Sequence, residues 1–273
     1  MKKIVFVFAF LLTISFQTNA QWEAQNPKIP NCSLTSIKFI SHDIGWTVGG
    51  NYTHGYILKT IDSGNSWIKQ NSDSINTLSC VFCVDEFNVW AVGINGTILR
   101  TSDGGNNWNQ QVSPEISSLS SVFFTDINNG WIVSYNKEIL RTTNGGTSWE
   151  SKFSGTNESF YDVFFKDSLS GFVVGYPDKI LRTSNGGLSW IPQTSGLTSW
   201  LESVSFSDWN NGLIVGVHGT ILKTTDGGIN WNSLSSGVYT DLTSVHFVDQ
   251  NNAFVVGSSG TILKTTNGGL NWD

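Results

Sequence analysis

The residues that first suggest chemistry are the acids and glycines of an eight-residue motif, Thr101-Ser102-Asp103-Gly104-Gly105-Asn106-Asn107-Trp108, because such a set could hold a metal or a phosphate. Near-copies recur at 60–67, 142–149, 183–190, 224–231 and 265–272. The third position reads Asp62, Asp103, Asn144, Asn185, Asp226 and Asn267. Amide and carboxylate are interchangeable when the task is accepting backbone hydrogen bonds inside a turn, but not when a charge must hold a cation. No Lys-Ser or Lys-Thr follows, as a phosphate loop requires. The motif is therefore read as structural, and neither metal nor cofactor is expected from it.

Two further sets invite a chemical reading. A basic column, Lys59, Arg100, Arg141, Arg182, Lys223 and Lys264, precedes each copy. An acidic column, Asp85, Asp126, Asp167, Asp208 and Asp249, with Ser41 as the exception, falls at the same edge of the repeat, so ion pairs or a hydrogen-bond network within each unit are expected. The Cys80-x-x-Cys83 pair resembles a redox motif, but a shift of one period turns it into Ser121-Val122-Phe123-Phe124, part of a strand. Residues three apart on a strand face opposite ways, so these thiols are expected to be buried and inert. A bridge from Cys32 to Cys80 is left open by the sequence.

Residues that break the repeat are the better candidates for function. Trp200, Phe160, Tyr161 and Tyr239 fall in corresponding loops before the first strand of their units, with Asp162, Glu202 and Asp241 beside them. Loops after the second strand add Tyr135, Tyr176 and His218, with Tyr52 and His54, on the same rim. Aromatic and acidic groups on loops of a rigid scaffold suit the binding of a protein or a sugar. The competing reading is that these rings only cap the junctions between units. Trp209 belongs to the opposite rim.

The elements that must position these groups follow from the spacing. Trp67, Trp108, Trp149, Trp190, Trp231 and Trp272 are 41 residues apart. Each period contains four short β segments. The first alternates, as in Val81/Cys83, Val122/Phe124 and Val163/Phe165, with Ile37/Phe39 in register. The second is apolar throughout and ends at Gly49, Gly93, Gly175, Gly216 or Gly257, and the third is Ile-Leu followed by a base and threonine. Four antiparallel strands every 41 residues, without helical periodicity, predict an all-β propeller of six four-stranded blades. Trp22-Glu23-Ala24-Gln25 matches the start of a fourth strand, while the last repeat stops at Asp273. The expectation is that the N-terminal strand completes the last blade, with a truncated seven-bladed propeller as the alternative.

The motif resembles the Asp-box, Ser/Thr-x-Asp-x-Gly-x-Thr-Trp, of the BNR repeat families. The unit GLIVGVHGTILKTTDGGINW at 212–231 is similar to the repeat of the photosystem II stability and assembly factor family, over essentially the whole chain after the leader. That resemblance implies an exported, usually seven-bladed, non-enzymatic propeller that binds a protein partner. In that family an arginine-rich patch is linked to partner binding, whereas here the bases are shared among all the blades. Sialidases and xyloglucan-cleaving hydrolases also carry Asp-boxes, which makes a glycan-binding or glycoside-hydrolysing propeller the alternative.

Residues 1–20 combine Lys2-Lys3, an apolar run and Thr18-Asn19-Ala20, the pattern of a cleaved signal peptide, leaving one domain at 21–273 in the periplasm or outside the cell. Without the two leader lysines, 13 basic residues face 21 acidic ones, a net charge of −8. That balance excludes nucleic acid and anionic membranes as natural partners. No segment has the length for membrane insertion, and a monomer is expected.

Overall fold

A computed structural model describes residues 32–51, 54–70, 76–154 and 158–273. The leader, the strand expected at 22–25 and Tyr52 lie outside them. The chain forms a six-bladed β-propeller. The first blade is Ser33–Phe39, Gly45–Gly50, Gly55–Thr60 and Ile68–Lys69, joined in that order by antiparallel pairing. Four more blades repeat this plan, and the sixth contributes three strands among the described residues. The inner strands are Ser33–Phe39, Leu78–Cys83, Leu119–Phe124, Ser159–Phe165, Leu201–Phe206 and Leu242–Phe247, and together they line a central cavity of about 360 Å³.

Each inner strand sends alternate side chains to the core and to the cavity. Val122 and Phe124 pack with Ile132, Leu140 and the preceding blade's Trp90 and Val92, and the motif residue Trp149 closes the same cluster. Trp90 stacks on Phe124 at 3.8 Å between centroids, and Trp149 meets Phe124 edge-on at 5.8 Å. The second strands are buried along their whole length in blades 1 to 3. That burial explains their unbroken apolar runs.

The motif is a turn clamp. Thr101 Oγ1 donates to Asp103 Oδ1 at 2.8 Å and accepts from the Gly105 amide at 2.9 Å, while Asp103 Oδ1 accepts from the Asn107 amide at 2.9 Å. Asn144 does the same work, accepting from the Ser148 amide at 2.9 Å and donating through Nδ2 to Ser148 Oγ at 2.9 Å. Gly104 and Gly105 have φ of 72° and 93°, where a side chain would be strained. The acidic columns close a second turn: Asp126 Oδ1 accepts from the Asn128 and Asn129 amides at 2.8 and 3.0 Å. At the exceptional position Ser41 Oγ accepts from the Ile44 amide at 3.1 Å, so a hydroxyl replaces the carboxylate.

The basic column differs from expectation. Lys59 Nζ reaches the Gly104 carbonyl of the next blade at 2.7 Å, and Arg100 Nη1 reaches that of Gly145 at 3.0 Å. Each cation lies 5.0 Å from its own blade's second-strand tryptophan, Trp46 or Trp90. Among the described residues no ion pair joins these bases to the acidic turns, whose carboxylates accept from amides of their own turn. Lys59 and Arg100 thus fasten blade 1 to blade 2 and blade 2 to blade 3. All three cysteines are free thiols, so no Cys32–Cys80 bridge forms; burial pushes the Cys83 thiol up to about 12, and Cys80 faces the cavity with its thiol also raised by burial.

One junction departs from the rest. Five consecutive blade pairs enclose buried apolar clusters. Between blades 6 and 1 the corresponding groups are open to solvent: Ile37 is 59% exposed where Val122 is 2%, and Phe39, Val256 and Ile262 are also exposed. Asp273 exchanges two 2.9 Å backbone bonds with Lys264, taking the place that Asn109 takes against Arg100.

Candidate functional site

The geometry of the site begins with a bulge. In every blade one residue near the start of the inner strand has no partner on the second strand: Thr35, Ser79, Ser120, Tyr161, Glu202 and Thr243. Such an extra residue bends the strand and re-aims its side chain. In every blade but the third, where Ser134 stands instead, a second-strand glycine admits the backbone just before the bulge. A Cβ on Gly175 would stand 1.9 Å from the Ser159 carbonyl oxygen, and one on Gly216 2.0 Å from that of Trp200. Two of the small bulged residues tie blades together: Thr35 Oγ1 donates to the Leu78 carbonyl at 2.8 Å and Ser120 Oγ to that of Phe160 at 2.7 Å. Tyr161 and Glu202 are too long for that role and stand in the wall of the cavity mouth.

Around them the structure gathers four of the predicted rings. Tyr135 lies 5.6 Å from Tyr161, Tyr161 6.4 Å from Trp200, and Trp200 5.0 Å from Tyr176. Tyr135, Tyr176 and Trp200 are exposed, Trp200 by 48%. A second pair, His218 and Tyr239, sits at 5.1 Å on the adjoining blades, with Tyr239 78% exposed. Asp241 Oδ1 accepts from the His218 amide at 2.9 Å, which fixes that loop.

Two predicted rim residues are placed elsewhere. Phe160 is fully buried in the cluster between blades 3 and 4, because it occupies the core position that Leu119 and Leu201 hold in their blades. Asp162 faces the cavity, below the mouth. It accepts from Ser121 Oγ at 2.8 Å, the Val163 amide at 2.9 Å, and Ser203 Oγ and the Val204 amide at 3.0 Å each. Burial nevertheless holds its carboxyl above the usual range. These bonds link blades 3, 4 and 5, so Asp162 is a cross-blade tie.

Glu202 has the opposite character. Among the described residues no hydrogen bond or ion pair reaches its carboxylate, and burial followed by the nearby Asp241 charge pushes its pKa up. Burial and the Glu202 charge in turn raise the Tyr161 phenol to about 12 and the Tyr135 phenol above its usual value. The described residues contain no group of three or more His, Cys, Asp or Glu able to hold a metal.

Sequence reasoning missed the lower cavity wall, where Phe82, Phe123 and Phe164 follow one another at 4.7 and 5.4 Å and Lys38 lies 5.4 Å over Phe82. Burial and the Lys38 charge lower the pKa of His246 in that wall. The signal was available in the alternate positions of the inner strand, two residues beyond the serine, cysteine and Asp162 column.

Fold and fastenings together define an Asp-box β-propeller, with turn clamps on one rim and bulge-borne side chains at the mouth of the other. The chain belongs to the photosynthesis system II assembly factor YCF48 family, whose sequence model matches residues 14–113, 73–152, 111–191 and 154–273. No curated protein matches it. Among solved structures it is similar to YCF48 bound to D1 peptide, at TM-score 0.76 and 20% identity over 94% of this chain and 84% of that one. YCF48 from Cyanidioschyzon merolae aligns at TM-score 0.73 and 20% identity, over 92% and 87%. The GH74 enzyme of Niastella koreensis shares the fold at TM-score 0.73 and 13% identity, covering 89% of this chain but 46% of that enzyme.

Proposed function

We propose that this chain is an exported, non-enzymatic propeller that binds a protein partner at the cavity mouth and serves as an assembly or scaffold factor for an envelope or secreted complex. The observation that carries this reading is the contiguous set Tyr135, Tyr161, Trp200 and Tyr176 around an open mouth. Aromatic rings supply large contact area at little entropic cost, and they are enriched at the centres of protein interfaces. Family membership supports the reading, as does the peptide complex of a YCF48. The carboxylates offer little to a hydrolase: Asp162 is tied by four donors and Asp241 is engaged by a backbone amide. A paired-carboxylate mechanism needs two such groups free to move protons. Affinity capture from the native envelope tests the proposal. A partner retained by wild type and Trp209→Ala, and lost with Trp200→Ala and Tyr161→Ala, is expected; equal retention by all four would move the site elsewhere.

A further inference from the structure

Glu202 is the only charged member of the six bulged positions, and its neighbours explain what it could receive. Its carboxylate is half-buried, with no basic partner among the described residues. Leaving such a charge uncompensated is costly, and a cation brought to it would relieve that cost. Tyr161 lines the mouth with Glu202 and lies 6.4 Å from Trp200, with Tyr176 beside Trp200 and Tyr135 beside Tyr161. Ring faces attract cations, and arginine more often than lysine, because a guanidinium stacks on a ring while its N–H groups fork onto a carboxylate. Asp241 adds a second negative charge nearby.

We propose that the Glu202 mouth is a receptor for an arginine side chain carried on an extended segment of the partner protein, with the guanidinium against Trp200 and Tyr161 and paired to Glu202. This inference rests on the reading of the rim as a protein-binding surface and adds the chemistry of what enters it. The six-fold arrangement of bulges supplies the specificity, since only blades 4 and 5 carry long side chains there and the mouth is asymmetric.

A defined probe tests the inference on the full mature chain. The capped peptide Gly-Gly-Arg-Gly-Gly is titrated by calorimetry at low salt, beside the same peptide with citrulline, a neutral isostere of arginine, and with lysine. The arginine peptide is expected to bind, the lysine peptide more weakly, and the citrulline peptide at least about tenfold more weakly, as for loss of a partly desolvated charge pair. Glu202→Gln keeps the shape and removes the charge, and should reduce the arginine affinity by a similar factor while leaving the melting temperature close to wild type. Trp209→Ala on the opposite rim should change nothing. Equal binding of arginine and citrulline peptides, or an unchanged affinity in Glu202→Gln, would overturn the proposal. Partner capture separates the two levels. Capture that depends on Trp200 but not on Glu202 would leave the protein-binding reading standing and sink this one; capture indifferent to both would sink both.

Discussion

At the scale of single residues, the motif aspartates are fasteners whose charge is incidental. Asp103 is held down to about 2 by the side chain and amide of Asn107 and by Thr101, and Asp226 to about 2 by the amide and side chain of Asn230. A carboxyl whose pKa falls on folding adds stability that is present above its ordinary value near 3.8 and is lost as pH drops toward 2. Blades 3, 4 and 6 use asparagine at the same position and keep the same turn. The triple variant Asp62→Asn, Asp103→Asn, Asp226→Asn should therefore melt within a few degrees of wild type at pH 7 and lose less stability between pH 4 and pH 2. Thermal melts across that range decide the matter; a large loss at pH 7 would give the charge a role that the turn does not explain. The interchange of acid and amide was legible in the sequence because six copies could be compared. The partners of the bases were not, because Lys59 and Arg100 reach a carbonyl in the next blade, and a backbone acceptor leaves no mark in side-chain pattern.

At the scale of elements, the strands were legible from their period and the junctions were not. The alternation Ile37/Phe39 looks the same as Val122/Phe124, yet the first pair is exposed and the second buried. Burial of a strand face depends on the neighbouring blade, which periodicity within one blade does not report. The contrast gives a measurable difference. Leu119→Ala, at 0% exposure, should cost about 2–5 kcal/mol by the usual cavity arithmetic, while Leu34→Ala, at 52%, should cost less than about 1 kcal/mol. Urea denaturation of both variants checks it, and equal costs would mean that the face of blade 1 is covered in solution. The bulges were equally hidden. A glycine stands on the facing strand in five blades and Ser134 in the third, and the sequence showed Gly175 and Gly216 only as strand ends. Phe160 was misplaced on the rim for that reason: the bulge puts the break in alternation one residue later, at Tyr161, leaving Phe160 in the core.

At the scale of the whole molecule, uniform fastening isolates what is not uniform. Six near-identical units build the propeller, their turns and clamps recurring from blade to blade, and against that background the mouth between blades 3 and 5 carries the exceptions. The sequence singled out Trp200, Tyr161 and Glu202 because they break the repeat; it could not say that their side chains converge, since convergence depends on how neighbouring blades pack and on the bulge. The central claim is that this mouth is where a partner docks. Its most direct measurement is site-specific photo-crosslinking in the native cell, with benzoylphenylalanine placed at Tyr239 beside the mouth or at Trp209 on the opposite rim, two positions already exposed and aromatic. The account predicts a discrete protein adduct from position 239 and none from position 209. Adducts of the same protein from 209 alone, or from both positions equally, would contradict it.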